Sequence, residues 1–258
     1  MTKKIGIAGC GALGRIVAKS LTQGLDGYRL IGISDLTPAP FNVPMMSFAE
    51  LAEASDIVIE CLPAAAVPAL ASEVLSRGKI LMAISSAALM IYPEIFDMAQ
   101  ASKGRILIPS GAIAGLDGIM ALGVHGIETA LIASTKPPKG FTGAPWVVQH
   151  KIELNLITEK TLIFAGSARE AALAFPANVN VAATLSLAGI GPDKTKVEVW
   201  ADPAAPGNSH EMTVKGKHST LHLRVDNTPD PANPKSSLLA GYSLISCLKK
   251  LNQSVTVF

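Results

Sequence analysis

The chain has 258 residues, of which 22 are Lys or Arg and 20 are Asp or Glu, so its formal net charge is +2 at pH 7. This balance gives no electrostatic case for binding nucleic acid or an anionic membrane surface, and no basic cluster interrupts it. Hydrophobic residues make up 49% of the chain. That share excludes a disordered protein, and the length suffices for one large domain or two modest ones.

The cysteines and the N-terminal segment indicate a cytoplasmic protein. The three cysteines, Cys10, Cys61 and Cys247, lie far apart and form no CxxC pair, which is typical of reduced thiols. The stretch MTKKIGIAGCG lacks the apolar region and cleavage pattern of a signal peptide. An uncharged run, AALAFPANVNVAATLSLAGIGP, is long enough to span a bilayer, but its prolines and polar residues predict buried soluble structure instead.

Up to about residue 109 the sequence alternates apolar strands with amphipathic helices. The predicted strands are KIGIAG, YRLIGISD, DIVIECLP, KILMAIS and RILIPSG. The predicted helices between them are LGRIVAKSLTQG, SFAELAEAS, VPALASEVLSRG and YPEIFDMAQASKG, and in the second of these Ser47 and Glu50 have the spacing of a capping box. Strands separated by helices predict parallel pairing with right-handed crossovers, hence an α/β Rossmann-type doubly wound sheet.

After about residue 110 the pattern changes to alternating strands with fewer helices. The predicted strands are ETALIAST, KIELNLI, KTLIFAG, KVEVWAD, HEMTVKG and STLHLRVD. The predicted helices are GLDGIMALGVHG, SAREAALAF, which has a second capping box, and ANVNVAATLSLAG. We therefore expect a second α+β domain with a mixed sheet over residues 110–233.

A final helix is predicted in NPKSSLLAGYSLISCLKKLN, after the break PDPANP. Asn233 has the position of an N-cap and Pro234 that of the first turn. We expect this helix to pack back on the first domain, which would then comprise residues 1–109 and 234–258.

The glycine-rich loop GCGALG directly follows the first predicted strand and opens the first helix. In the dinucleotide fingerprint, Gly9 allows a tight turn, Gly11 lets the backbone approach a pyrophosphate, and Gly14 lets helix and strand pack closely. Asp35 ends the second strand roughly 20 residues further on, where an acid binds ribose hydroxyls. A solvated turn residue is the alternative for Asp35. The four parts in register predict NAD as the cofactor, with NADP disfavoured but not excluded.

The loop ECLPAAAV, after the third strand, is expected to lie along the same cofactor, although a plain strand-to-helix turn is the alternative. The cofactor contacts expected from these loops are Gly9, Cys10, Gly11, Ala12, Leu13, Gly14, Asp35, Leu62 and Pro63.

Hydride transfer also needs an acid or base beside the substrate. Among the five histidines, His210 is the best placed, because it follows the loop DPAAPGNS and starts a strand. His125 and His150 have ordinary structural explanations. His218 and His222 lie four residues apart, but no Cys or carboxylate stands at ligand spacing, so no metal site is expected.

Three further stretches are candidates for a site, each with an ordinary alternative. IPSGAIAGLDGI has small residues that allow close approach to a flat ring, or tight interdomain packing. STKPPKG places Lys136 just past a strand, where it is otherwise a solvated lysine. FPANVNVAATL places Asn178 and Asn180 at the start of an apolar helix, where N-capping is the alternative.

Taken together, these stretches resemble the L-aspartate dehydrogenase family. The resemblance spans nearly the whole chain and is carried by GIAGCGALG, PSGAIAGLDGI, STKPPKG, GSAREAALAFPANVNVAATLSLAGIG and NPKSSLLAGYS. It implies a Rossmann domain plus an α+β domain, in a homodimer. It also implies NAD(P)-dependent, reversible oxidation of L-aspartate to iminoaspartate, which hydrolyses to oxaloacetate and ammonia or feeds NAD biosynthesis.

The resemblance assigns roles to particular residues. Ala114 and Asn180 correspond to cofactor contacts, and His210 corresponds to the active-site histidine, with His218 as the alternative. A dicarboxylate substrate needs cations, and the sequence offers Lys136, Arg224 and Lys235. For each of these three, a solvated side chain is the alternative.

Other classes of function remain open from the residues alone. One is another two-domain NAD(P)-dependent reductase, acting on dihydrodipicolinate or homoserine, although the paired-histidine HH signature of the former is absent from the sequence. Another is an NADH-sensing protein without catalysis, and a third is a structural interaction module. The histidine and the cationic groups of the second domain favour catalysis.

Overall fold

The computed structural model describes residues 2–230 and 233–257, with side chains for all of these except 229, 230 and 233–236. The chain divides into two compact units, the first comprising Met1–Gly111 with Ala240–Phe258 and the second comprising Ala112–Leu239.

The first unit is built on five parallel strands: β1 (Lys3–Ala8), β2 (Tyr28–Ser34), β3 (Ile57–Glu60), β4 (Ile80–Ala83) and β5 (Arg105–Leu107). The helices that follow these strands are α1 (Ala12–Thr22), α2 (Phe48–Ala54), α3 (Val67–Ser76), α4 (Ser86–Ile91) and α5 (Glu94–Ala101). The strand order is β2-β1-β3-β4-β5. This order confirms the Rossmann-type sheet, and its reversal at β1 creates the switch point where dinucleotides bind.

Aliphatic side chains from the strands and from α1 fill the core of this unit. The helix α10 (Leu238–Asn252) contributes Leu244 and Leu248, which are fully buried in the same cluster. The hydroxyl of Tyr28 donates a hydrogen bond to the carbonyl of Leu248 at 2.7 Å. Because full burial of a leucine stabilises by roughly 1.5–3 kcal/mol, the last helix is an integral part of the first unit.

The second unit is built on the strands β6 (Ile127–Lys136), β7 (Thr161–Ser167), β8 (Lys196–Ala201), β9 (Asn208–Gly216) and β10 (Thr220–Asn227). Their order is β10-β9-β6-β8-β7, and only the β6–β8 pair of this sheet is parallel. The accompanying helices are α6 (Leu116–Gly123), α7 (Pro145–Gln149), α8 (Ala168–Ala174) and α9 (Asn180–Ala188). The expected mixed sheet is therefore confirmed. A short pair, β11 (Pro229–Asp230) and β12 (Asn233–Ser237), follows.

Local sequence signals predicted several element boundaries correctly. Both capping boxes form, at Ser47 with Glu50 before α2 and at Ser167 with Glu170 before α8. The helix α4 was not expected, because SAALMI is apolar on nearly every side and shows no helical periodicity.

Two predictions of secondary structure were wrong. KIELNLI forms no strand but a short 3₁₀ turn at Leu154–Leu156, because its alternation has no neighbouring strand to pair with. The last helix does not begin at Asn233, since that residue opens β12 and α10 starts at Leu238. The residue before a proline prefers an extended backbone, which suits Asn233 to a strand.

Candidate active site

The loop between β1 and α1 has the shape that a dinucleotide requires. Gly9 has φ of +90°, and a Cβ there would overlap the carbonyl of Cys61. A Cβ on Gly14 would overlap the carbonyl oxygen of Gly9, so α1 packs directly on the strand. A Cβ on Gly11 would meet nothing within 4 Å. That open space beside a helix N-terminus fits a pyrophosphate, which is where the fingerprint places it.

Asp35 lies against this loop and is not merely a solvated turn residue. One carboxylate oxygen accepts the N–H of Cys10 at 2.6 Å, and the other accepts the N–H of Thr37 at 2.9 Å. These N–H groups, that of Thr37 first, hold the pKa of Asp35 below its usual value. The ionised carboxylate thus stands next to the glycine loop, in the position of the group that accepts ribose hydroxyls.

The strand β3 ends in an acid that the sequence analysis missed. Glu60, the last residue of β3, is fully buried, and burial raises the pKa of its carboxyl. One carboxyl oxygen accepts the N–H of Leu62 at 2.5 Å and the other accepts the N–H of Ser85 at 3.0 Å. The available signal was the charged residue that ends the apolar run IVIE.

In the second unit, His210 forms a cross-strand pair with Ser134. The two residues face each other on β9 and β6, and the His210 Nδ1 lies 2.9 Å from the Ser134 Oγ. His210 is 3% exposed. Burial, together with the nearby charge of Lys136, lowers the pKa of His210 to about 3. The imidazole is therefore neutral near pH 7.

Lys136 lies on the same face as this pair, because it ends β6 two residues after Ser134. Its Nζ donates to the Asn178 Oδ1 at 2.9 Å, and the residue is 9% exposed. Burial lowers the pKa of Lys136 to about 8, so the ammonium form still dominates near pH 7. Among the described residues Lys136 forms no ion pair with a carboxylate. A buried cation without an anion is a natural receptor for a ligand carboxylate.

Asn178 has a role other than the N-capping that its position allowed. The N-cap of α9 is Val179, which makes no side-chain cap bond. The side chain of Asn178 instead accepts from Lys136 across the chain. Asn180 begins α9, and Ala114 lies exposed in the turn before α6, so both remain predicted cofactor contacts.

Arg224, the other strand cation predicted for substrate, does not lie beside Lys136 and His210. On β10 it is Val225 that pairs with His210, so the neighbouring Arg224 lies on the opposite face of the sheet. Its guanidinium donates to Asp226 at 2.9 Å and to Glu211 at 2.7 Å. Arg224 thus serves an exposed ion-pair cluster.

Two predicted site residues remain, His218 and Lys235. His218 lies in the turn before β10, with its ring edge-on to that of His125 at 6.3 Å between centroids, away from the Ser134 pair. The side chain of Lys235 lies outside the described part of the structure. Among the side chains that the structure describes, no three metal-ligating groups come together. None of the helices in the described part of the chain is both long and apolar enough to cross a membrane.

A Rossmann-type unit joined to an α+β unit that carries a buried histidine and lysine defines the class of two-domain NAD(P)-dependent dehydrogenases. Comparison with protein families narrows the class. Residues 117–251 match the model described as aspartate dehydrogenase, C-terminal, and residues 9–109 match that described as homoserine dehydrogenase, NAD binding domain. The chain belongs to the L-aspartate dehydrogenase family.

Individual relatives agree with this membership. L-aspartate dehydrogenase 3 of Bordetella bronchiseptica is 40% identical, and the match covers 98% of this chain and 96% of the relative. L-aspartate dehydrogenase of Methanosarcina barkeri is also 40% identical over 98% of each chain. The crystal structure of aspartate dehydrogenase from Thermotoga maritima superposes with a TM-score of 0.79 at 26% identity and covers both chains fully. A hyperthermophilic archaeal homoserine dehydrogenase, at 13% identity and a TM-score of 0.59, shares the fold alone.

Proposed function

We propose that this protein is an NAD(P)-dependent L-aspartate dehydrogenase, which reversibly converts L-aspartate to iminoaspartate and then to oxaloacetate and ammonia. The observation that carries the proposal is that a buried Lys136, which has no carboxylate partner among the described residues, and a buried, neutral His210 lie on one face of the second unit's sheet. Family membership supplies the substrate class, and the two side chains supply chemistry suited to it.

The cofactor would be held by the glycine loop and by Asp35. When bound, the nicotinamide accepts or returns the hydride of the substrate's Cα. The open space at Gly11 would receive the pyrophosphate, and the Asp35 carboxylate would accept hydroxyls of the adenosine ribose. A carboxylate at that position favours NAD, with NADP as a weaker alternative.

Lys136 is proposed to bind a substrate carboxylate. In the protein alone its burial disfavours the ammonium, and a bound carboxylate would relieve that cost by pairing with it. Asn178 holds the lysine from the side, so that the ammonium keeps a fixed direction. A second cation for the other carboxylate is still needed, and Lys235 remains the predicted candidate.

His210 is proposed as the general base that takes a proton from the water attacking the imine, and as the acid in the reverse direction. Its neutral state near pH 7 leaves a ring nitrogen free to accept that proton. For Nε2 to accept that proton, Nδ1 must carry the ring's other hydrogen and donate it to the Ser134 hydroxyl oxygen, which accepts this bond before and after the transfer. Ser134 therefore orients the ring without fixing its charge.

The decisive assay is NADH oxidation by the purified protein with oxaloacetate and ammonium, run beside the same mixture without ammonium. Oxidation that requires ammonium would establish reductive amination. An enzyme specific for homoserine or dihydrodipicolinate chemistry would instead show coenzyme turnover only with the substrates of those reactions. NADH binding without turnover on any of them would indicate a sensor and contradict the proposal.

Coenzyme preference offers a separate prediction. Asp35→Asn keeps an oxygen acceptor for Cys10 but removes the negative charge that repels a 2′-phosphate. We expect the ratio of kcat/KM with NADPH to that with NADH to rise by about tenfold or more, the value of one charged hydrogen bond. Asp26→Asn, in the turn before β2, should leave the ratio unchanged. If the NADPH-to-NADH ratio of kcat/KM is the same in Asp35→Asn as in Asp26→Asn, the role assigned to Asp35 is contradicted.

We further propose a cytoplasmic homodimer, on the strength of the family resemblance and of the three free cysteines. Light scattering coupled to size-exclusion chromatography tests the dimer, and a monomeric mass at assay concentration would overturn it.

A further inference from the structure

Glu60 is a fully buried carboxylate to which the proposed catalytic steps assign no role. It ends β3 in the middle of the parallel sheet, between Ala8 of β1 and Ala83 of β4. In the described part of the chain it has no cationic partner. Burying a carboxylate without a cation costs free energy, which indicates that Glu60 has a function that offsets this cost.

The contacts of Glu60 are with the backbone of two separate loops. One oxygen accepts the N–H of Leu62, after β3, at 2.5 Å, and the other accepts the N–H of Ser85, after β4, at 3.0 Å. The Ser85 hydroxyl donates to the carbonyl of Leu62 at 2.9 Å and closes the network. One side chain thus fixes the two loops relative to each other.

The position of these loops in the sheet connects them to the coenzyme. Strand order reverses at β1, so the two mononucleotide halves of a dinucleotide lie on opposite sides of that strand. Asp35 follows β2 and marks the adenosine side. The loops after β3 and β4 lie at the carboxyl ends of the strands on the other side, which is the nicotinamide half.

We propose that Glu60 is a positioning residue for the nicotinamide half of the coenzyme, acting through the backbone at Leu62 and Ser85. The proposal rests on the proposed function only through coenzyme binding by the first unit and is independent of the amino-acid substrate. A carboxylate is required because two N–H donors from different loops need two acceptor oxygens, and a carboxamide supplies one.

The test compares Glu60→Gln with Ile57→Val, a conservative change at the other end of the same buried strand. Affinities for NADH and for ADP-ribose, which lacks the nicotinamide, are measured by fluorescence and by competition. In Glu60→Gln we expect the Kd of NADH to rise by about tenfold or more, as for a lost charged hydrogen bond, and that of ADP-ribose to stay nearly constant. Ile57→Val should leave both the Kd of NADH and the Kd of ADP-ribose at their wild-type values.

A second readout uses the coenzyme-free protein. Amide hydrogen exchange at Leu62 and Ser85 should accelerate in Glu60→Gln and stay at the wild-type rate in Ile57→Val. A merely structural role would lower the melting temperature of both variants without separating NADH from ADP-ribose.

Three outcomes would overturn the proposal: unchanged NADH affinity, equal loss for both ligands, or wild-type exchange at both amides. If Glu60→Gln does not fold, Ser85→Ala decides, since it removes the hydroxyl that bonds the Leu62 carbonyl and also acts on Glu60, and it should raise the Kd of NADH several-fold over that of ADP-ribose. Wild-type protein that binds both ligands but does not oxidise NADH with oxaloacetate and ammonium would refute the dehydrogenase function and leave Glu60's role standing.

Discussion

Replacement of His210 by alanine is expected to lower kcat for ammonium-dependent reduction of oxaloacetate by about 10²–10⁴-fold, the range for loss of a general acid–base group. NADH affinity should change little, because the glycine loop and Asp35, which are proposed to hold the pyrophosphate and the ribose, are unaltered in this variant. Steady-state kinetics and NADH fluorescence titration on the same preparation measure both quantities.

The pH profile adds a second test of His210. The pKa of His210 is lowered to about 3, and kcat/KM reports the free enzyme, so its protonation should produce no acidic limb near pH 6.5. His222→Ala is the matched control, since that histidine also bonds a hydroxyl, Thr213 Oγ1 at 3.1 Å, but on the exposed face. Full activity of His210→Ala, or equal loss in both variants, would remove His210 from the mechanism.

What the sequence could predict depends on how local each signal is. The glycine loop, the acid after β2 and both capping boxes are defined within a few residues of the chain, and the structure places Asp35 beside the loop and forms both boxes. The local backbone structure of such motifs is predictable, since strand, turn and helix follow directly from residue type and spacing.

The positions of the two strand cations could not be predicted from the sequence. Lys136 and Arg224 are both cations at or near strands, but strand register decides which face each one occupies. A shift of one residue moves a side chain to the other face, and nothing in either segment alone sets the pairing. For the same reason Ser134 and Asn178 were not selected, because their partners lie 76 and 42 residues away in the chain.

Lys136→Met is expected to change stability and function in opposite directions. The pKa of Lys136 is about 8 in the folded protein, against roughly 10.4 in an unfolded chain, so folding favours the neutral amine. The stability that the neutral amine contributes is fully present above about pH 10.4 and is lost as the pH falls through 8. Near pH 7 the wild type therefore bears a penalty of roughly 3 kcal/mol, at 1.36 kcal/mol per pKa unit, which methionine avoids.

The variant should accordingly melt at a higher temperature at pH 7, by an amount reduced because Asn178 loses its hydrogen-bond donor. It should also lose the dependence of stability on pH between about 8 and 10.4. Calorimetry of wild type and variant across this range measures both effects. Lys139→Met, at an exposed position in the following turn, should show neither.

The effect of Lys136→Met on function is tested by ligand binding. Malonate, a dicarboxylate with no amine or keto group to react, should raise the melting temperature of the wild type but not that of Lys136→Met. Its affinity for the wild type should fall as the pH passes 8, because the neutral amine no longer attracts a carboxylate. Turnover of oxaloacetate should fall together with that affinity in Lys136→Met. A variant that is both more stable and fully active would show that the buried ammonium serves neither folding nor substrate binding, whereas opposite changes would mean that the fold bears its cost in order to hold the substrate.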